Sequence, residues 1–306
     1  MTQNIKLVVI DLDGTLLNSK SEMSEANEAA LKKVMAQDIQ VVIATGKTRV
    51  SAVPIIESLG LTTPGIYLQG LTVYQGDGSI SYQKTLEPEI ARQVITFAED
   101  RGYKMVAYSG NRILVREEHR RGKELAEIYH EPMPEAVGPL QNILGEMPIH
   151  KLIAVWDGDP RKIKALRWQL DKQLEGKVTL VQAMIPDMVE ILPPKTSKGV
   201  ALQSLLKQMK ITASEMMAIG DGENDLEMLE LAGLSVAIGN ADERLKKIAD
   251  HVVATNDEDG VAEALKRFVI VEDEEEDIPD TDSETAEGAA ESDDSSEVTA
   301  AEDKSE

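Results

Sequence analysis

Five short apolar runs, each cut off by turn residues, constrain this chain more than any other feature. They are LVVI (7–10), VVIA (41–44), MMAIG (216–220), LSVAIG (234–239) and HVVA (251–254). An unbroken run of this length suits a strand buried on both faces, because a strand with one wet face alternates polar and apolar residues. Helical patterns lie between the runs, at 25–37, 48–59, 198–209, 225–232 and 260–268. Strand and helix in alternation predict an α/β fold, a parallel sheet covered by helices on both sides.

Residues 84–188 break that rhythm. Two longer helical stretches, 87–101 and 159–175, are interspersed with strand-like pieces such as KMVAYS, RILVRE, KLIAVW and KVTLVQ. This predicts an α+β domain (84–188) inserted into a core built from 1–83 and 189–270. From Val271 to the end the chain is Glu, Asp, Ser, Thr and Ala without aromatics, too polar to offset the entropy of ordering. Residues 271–306 are therefore expected to be a disordered acidic tail, a solvating appendage rather than a specific partner-binding segment.

The formal charge of −23 is uneven. The tail holds 17 acidic residues and one lysine, which leaves 38 acids against 31 bases in the rest. Neither part offers the basic face that nucleic acid requires, so nucleic acid is not an expected partner. With no cysteine there are no disulfides and no thiolate metal site. No apolar run approaches the roughly 20 residues that span a bilayer, and IKLVVI begins after four residues. The expectation is a cytoplasmic protein with no membrane partner; the oligomeric state is not legible.

Chemistry is concentrated where the apolar runs stop. VVIDLDGTLLNS places Asp11 and Asp13 at the carboxyl end of the first strand, where α/β proteins bind ligands. Two carboxylates that close repel unless a cation joins them. An ionised Asp11 can attack phosphorus, and Asp13 can protonate a leaving oxygen and later activate water. The second run ends in Thr45-Gly46, a hydroxyl and a backbone amide at a helix start, both able to donate to phosphoryl oxygens. Gly46-Lys47-Thr48 has the look of a P-loop tail, but Val41 stands where that loop needs its first glycine, and Lys47-Thr48 is read instead as the start of the next helix. In PPKTSKG, Lys198 opens a helix and can hold a phosphoryl group, with Lys195 as its local competitor. IGDGENDLEML supplies Asp221 and Asp225 as hard oxygen ligands suited to Mg²⁺, and Asn224 as a donor to phosphate.

Together these four motifs, in this order and spacing, resemble the haloacid dehalogenase superfamily of phosphatases. The match spans residues 7 to about 268. The large insertion, with TSKGVAL and GDGENDLEML, is similar to the Cof-type branch, whose members carry an α/β cap of the second class (C2B) over a Rossmannoid core. ATGKTR, LQGLTVY and NDEDGVA resemble a plant and cyanobacterial group. The resemblance implies Mg²⁺-dependent hydrolysis of a small phosphorylated metabolite through an aspartyl phosphate on Asp11. It implies Asp11 as nucleophile and metal ligand, and Asp13 as acid/base that binds metal through its carbonyl. Thr45, Gly46, Lys198 and Asn224 would bind phosphate, and Asp221 and Asp225 would complete the metal site. Two positions depart from the branch: Lys47 replaces its usual Arg, with Arg49 two residues on, and Gln69-Gly70 replaces its usual Asn-Gly. Which of Lys47 and Arg49 faces the substrate stays open.

Remaining features are read as structural. His119, His130, His150 and His251 lack ligand spacing and are assigned to the surface or to caps; Trp156 and Trp168 are assigned to packing. Tyr108, Asn111 and Arg112 are candidates for substrate recognition on polarity alone. A phosphomutase or phosphonate-cleaving enzyme with the same nucleophile, and a non-catalytic phosphometabolite sensor, are the competing functions.

Overall fold

The first apolar run sits at a branch point of the chain. In the computed structural model, which describes residues 4–182 and 186–271, Leu7–Ile10 pairs in parallel with Gln40–Ile43 on one side and Met216–Gly220 on the other. Leu234–Ala237 and His251–Val252 continue the sheet beyond Met216–Gly220, also in parallel. Alternate residues of this five-stranded sheet feed two cores. Val8, Ile10, Ile43 and Ile219 pack on one side with helices Glu25–Ala36 and Gly260–Phe268; Leu7, Val9, Val42 and Ala218 pack on the other with Lys198–Met209. All eight sheet residues are essentially buried. Each of the valine, leucine and isoleucine side chains contributes about 1.5–3 kcal/mol of hydrophobic stabilisation.

Because the chain leaves Leu7–Ile10 toward one neighbour and returns later to the other, a crevice opens at the carboxyl ends of these strands. Asp11, Thr45 and Asp221 follow the strands Leu7–Ile10, Gln40–Ile43 and Met216–Gly220 directly or by one residue.

A second sheet of six strands runs in the order Thr179–Gln182, Met188–Leu192, Lys151–Val155, Lys104–Ser109, Arg112–Val115 and Glu135–Ala136. It is antiparallel except for its last pair. One face packs on helices Pro88–Glu99 and Arg161–Gln173, whose apolar residues recur at helical spacing: Ala91, Val94 and Ile95, then Ile163, Leu166 and Leu170. The other face carries Val106, Tyr108, Ile153 and Met188 and meets Leu68, Leu71 and Leu125. A small antiparallel sheet, Gly65–Tyr67, Thr72–Tyr74 and Ile80–Gln83, lies between the two in sequence. The described residues form one compact unit.

Several details depart from the sequence reading. Met188–Leu192 pairs within the second sheet, so that sheet continues past the boundary expected at residue 188. Helix Arg120–Ile128 was not anticipated: it opens on RRGKE, too polar to show a long apolar stripe, and His119 caps it by accepting from the Gly122 amide. Trp168 is 64% exposed and packs against little, whereas Trp156 packs against Tyr103 in a tilted arrangement with ring centroids 5.0 Å apart. His150 is buried rather than superficial, its Nδ1 accepting from the Gly110 amide at 3.0 Å. The tail expected at 271–306 lies, apart from Val271, outside the described residues. No helix among the described residues is long and apolar enough to cross a membrane.

Candidate active site

Lys198 is the hinge of the site. It is fully buried, and its ammonium lies 2.7 Å from Asp11 Oδ1 and 2.8 Å from Asp225 Oδ1. Ser197 caps its helix by accepting from the Val200 amide, so the first turn points Lys198 at the sheet edge. Burial works against the lysine's charge, but Asp11 and Asp225 outweigh it and hold the pKa above the ordinary value. The ammonium stays protonated there.

The carboxylates are crowded. Burial pushes Asp11 well above the usual carboxylate range; Lys198 pulls it down, and Asp225 and Asp221 push it up again. Asp221 is pushed up to about 7, by burial first and Asp225 second, while the Thr15 hydroxyl, donating at 2.7 Å, works the other way. Asp225 accepts from the amides of Asp221 and Gly222 at 3.1 and 3.0 Å, which locks the loop after Met216–Gly220. Gly14 is required by this packing: its φ is +80°, and a Cβ there would stand 2.5 Å from Asp221 Oδ2.

Asp11, Asp221 and Asp225 each offer a carboxylate oxygen, all within 4.8 Å of one another and all buried. Three buried acids against one lysine leave an excess of negative charge, and hard oxygen donors suit Mg²⁺. The donor set fits the cation that the sequence implied. The carboxylate of Asp13 stands outside this group. It lies 3.1 Å from the Lys47 ammonium, and its pKa is raised by burial against the pull of that lysine.

Thr45 and Gly46 end the neighbouring strand. Thr45 Oγ1 accepts from the Lys47 amide, and the Gly46 N–H has no partner among the described residues. Asn224 Nδ2 donates to Gln69 Oε1 at 3.0 Å. A cavity of about 410 Å³ brings Asp11, Asp13, Gly46, Asp221 and Asn224 to one wall. Thr45, Lys198 and Asp225 stand behind that wall.

The opposite wall comes from the second sheet. Tyr108, Lys151, Ile153, Val181, Met188 and Glu190 line it, a period-two set from one face of four strands. Lys151 Nζ is 3.1 Å from Glu190 Oε1 and donates to the Gly46 carbonyl, also at 3.1 Å. Of the three recognition candidates, Tyr108 lines the cavity; Asn111 and Arg112 do not, and Arg112 is engaged with Glu135 on the exposed side.

The second motif settles differently from its sequence reading. Helix Arg49–Leu59 starts after Lys47, and Lys47 is buried in the site, bonded to the Tyr129 carbonyl as well as to Asp13. Arg49 lies over the Tyr74 ring instead, 5.5 Å from its centroid. Thr48 makes no side-chain cap of its own; Glu131 accepts from the Thr48 amide and hydroxyl and from the Ser51 hydroxyl, at 2.9, 2.6 and 2.7 Å. A carboxylate from a distant segment thus caps this helix. Gln69, Tyr129, Glu131, Lys151 and Glu190 were not singled out as site residues from sequence; only the alternation in KLIAVW and MVEIL hints at the last two.

A model of the haloacid dehalogenase-like hydrolases matches residues 8–265. The chain belongs to that family. It is 32% identical over 291 residues to the phosphatase YwpJ of Bacillus subtilis, covering 87% of this chain and all of that one. It is 38% identical over 270 residues to the chloroplastic endoribonuclease YBEY of Arabidopsis thaliana, covering 85% of this chain but only 46% of that protein. A crystal structure of a haloacid dehalogenase-like hydrolase from Bacteroides thetaiotaomicron superposes with a TM-score of 0.78 at 31% identity, over 86% of this chain and 99% of the other. Fold, motifs and relatives make this a phosphatase-type hydrolase of the Cof branch.

Proposed function

We propose that the chain hydrolyses a small phosphorylated metabolite, with Asp11 as nucleophile and Asp13 as acid and base. The observation that carries this reading is Asp11 itself: a buried carboxylate at a strand end, held by Lys198 and facing a cavity beside the unpaired Gly46 amide. An Asp11 oxygen attacks phosphorus in line with the leaving group; the P–O bond to that group breaks and Asp13 hands the departing oxygen a proton. Water then attacks the aspartyl phosphate, giving its proton to Asp13 and releasing phosphate. Burial favours the protonated Asp13 that the first step needs.

Asp11, Asp221 and Asp225, with the Asp13 carbonyl, would hold Mg²⁺, which supplies charge neutralisation for the phosphoryl oxygens. Thr45, Gly46, Lys198 and Asn224 form the phosphate corner. The segment 84–188, extended by the strand to Leu192, acts as a cap that shapes the leaving-group side of the cavity and excludes water. Neutral, hydroxylated leaving groups suit a wall that mixes apolar residues with one paired lysine and glutamate. The test is phosphate release from p-nitrophenyl phosphate, with and without Mg²⁺, by wild type and Asp11→Asn. We expect release that requires the metal and falls by about a thousandfold or more in the variant. Turnover retained by Asp11→Asn would sink the mechanism.

A further inference from the structure

The loop after Gly65–Tyr67 holds two consecutive non-glycine residues in the left-handed region, Leu68 at φ +51° and Gln69 at φ +62°. Residues with a Cβ enter that region at a cost, and a pair in succession persists only where the surroundings impose it. Here they do. The Leu68 amide donates to the Lys47 carbonyl at 3.0 Å and the Gln69 amide to the Thr45 carbonyl at 3.1 Å, which staples this loop to the second motif.

The strained backbone delivers the Gln69 carboxamide to the catalytic wall. The residue is 7% exposed and lines the cavity between Gly46 and Asn224. Its Oε1 accepts from Asn224, while its Nε2 donates to nothing among the described residues. Glycine at 46 makes room for it, since a Cβ there would stand 2.5 Å from Nε2. Two donors therefore emerge side by side without acceptors: the Gly46 amide and the Gln69 Nε2. The bond from Asn224 engages only Oε1, and an unpaired donor at a cavity wall is matched to an acceptor on a ligand.

We propose that Gln69 binds a phosphoryl oxygen of the substrate through Nε2 and aims Asn224 through Oε1. The inference rests on the phosphoryl-transfer reading of the site. An oxyanion beside Gly46 would accept from both donors at once, and the left-handed backbone is what brings the longer glutamine side chain to that spot. Gln69 is thereby a binding residue of the phosphate corner, contributed by neither the five-stranded sheet nor the Lys198 helix.

The test compares affinity for inorganic phosphate, measured by calorimetry with Mg²⁺ present, with the melting temperature. Gln69→Gly relieves the backbone and removes the donor; we expect phosphate binding to weaken about ten- to hundredfold, the worth of one hydrogen bond to an anion, while the melting temperature holds or rises. Gln69→Glu keeps the shape and reverses the polarity, and is expected to weaken binding at least as much. A purely structural glutamine would show the opposite: phosphate affinity within twofold of wild type in both variants overturns the proposal, as does weakened binding only in proportion to lost folding. The two readings fail separately. Absent turnover of p-nitrophenyl phosphate by wild type would sink the enzymatic mechanism, while the phosphate titration would still decide whether Gln69 holds the anion.

Discussion

The two walls of the cavity are built on opposite principles. On the five-stranded sheet the functional residues are charged, buried and bonded to one another: Lys198 spans Asp11 and Asp225, Thr15 holds Asp221, and the Asp225 carboxylate fixes its own loop. On the six-stranded sheet the facing residues are mostly apolar or aromatic, with Lys151 and Glu190 as the single ion pair among the described lining residues. The first wall has one geometry available to it, because moving any member strands a buried charge. The second can exchange side chains at similar volume without unpairing charges elsewhere. On the proposed reading, reaction chemistry is fixed by one sheet, and the choice of leaving group is left to the other.

The sharpest way to break this contrast is Lys198→Met. It leaves Asp11 and Asp225 facing each other without their cation, so turnover of every phosphate ester should fall by about a thousandfold or more, by the same factor for each. Stability should drop with it, by about 3–5 kcal/mol, since one partner of a buried charged group has been removed. Kinetics on several phosphate esters, together with a denaturant titration, check both parts. A loss that differed strongly between substrates would show that the two walls do not divide the work as described.

The same contrast explains what could be read from sequence. Asp11, Asp13, Thr45, Gly46, Asn224, Asp221 and Asp225 lie within a few residues of an apolar run, so each run marks its own active-site tip. Lys198 was legible through the helix start that follows PPKTS. The facing wall had no such marker: Lys151 and Glu190 are 39 residues apart in sequence and meet only through the pairing of their strands. Whether Lys47 or Arg49 enters the site was open in the sequence, because both stand at the start of the same helix. The Lys47 ammonium is drawn inward by Asp13 and the Tyr129 carbonyl, neither of which is adjacent in sequence.

Glu131 joins the two regions and offers a smaller, more diagnostic effect. Its carboxylate satisfies one amide and two hydroxyls at the start of helix Arg49–Leu59, and that helix begins two residues after the Lys47 that contacts Asp13. Glu131→Ala removes three acceptor contacts, with each bond to a charged group worth about 1.5–3 kcal/mol at most. We expect kcat/KM to fall about ten- to hundredfold for all esters, with the larger share in KM, because the segment that carries Tyr129 is no longer tied to the second motif. Steady-state kinetics separate the two constants. An unchanged KM with a large fall in kcat would mean that Glu131 acts on the reacting atoms rather than on the fit between the walls.

The smallest effect should come from Arg112→Ala. Arg112 and Glu135 form a two-pronged pair, with Nε to Oε1 at 3.0 Å and Nη2 to Oε2 at 2.6 Å, across the neighbouring strands Arg112–Val115 and Glu135–Ala136. Both side chains are about half exposed, 49% and 46%, so water screens the attraction and the ordering of two long side chains offsets what remains. Arg112 also stands away from the cavity, on a strand that contributes no lining residue. Catalytic efficiency within twofold of wild type on every ester, and a melting temperature unchanged within error, are the expected results. A change in substrate preference would be the informative surprise: it would place leaving-group selection on the exposed edge of the six-stranded sheet, and the face bearing Tyr108, Ile153 and Met188 would then serve only to exclude water.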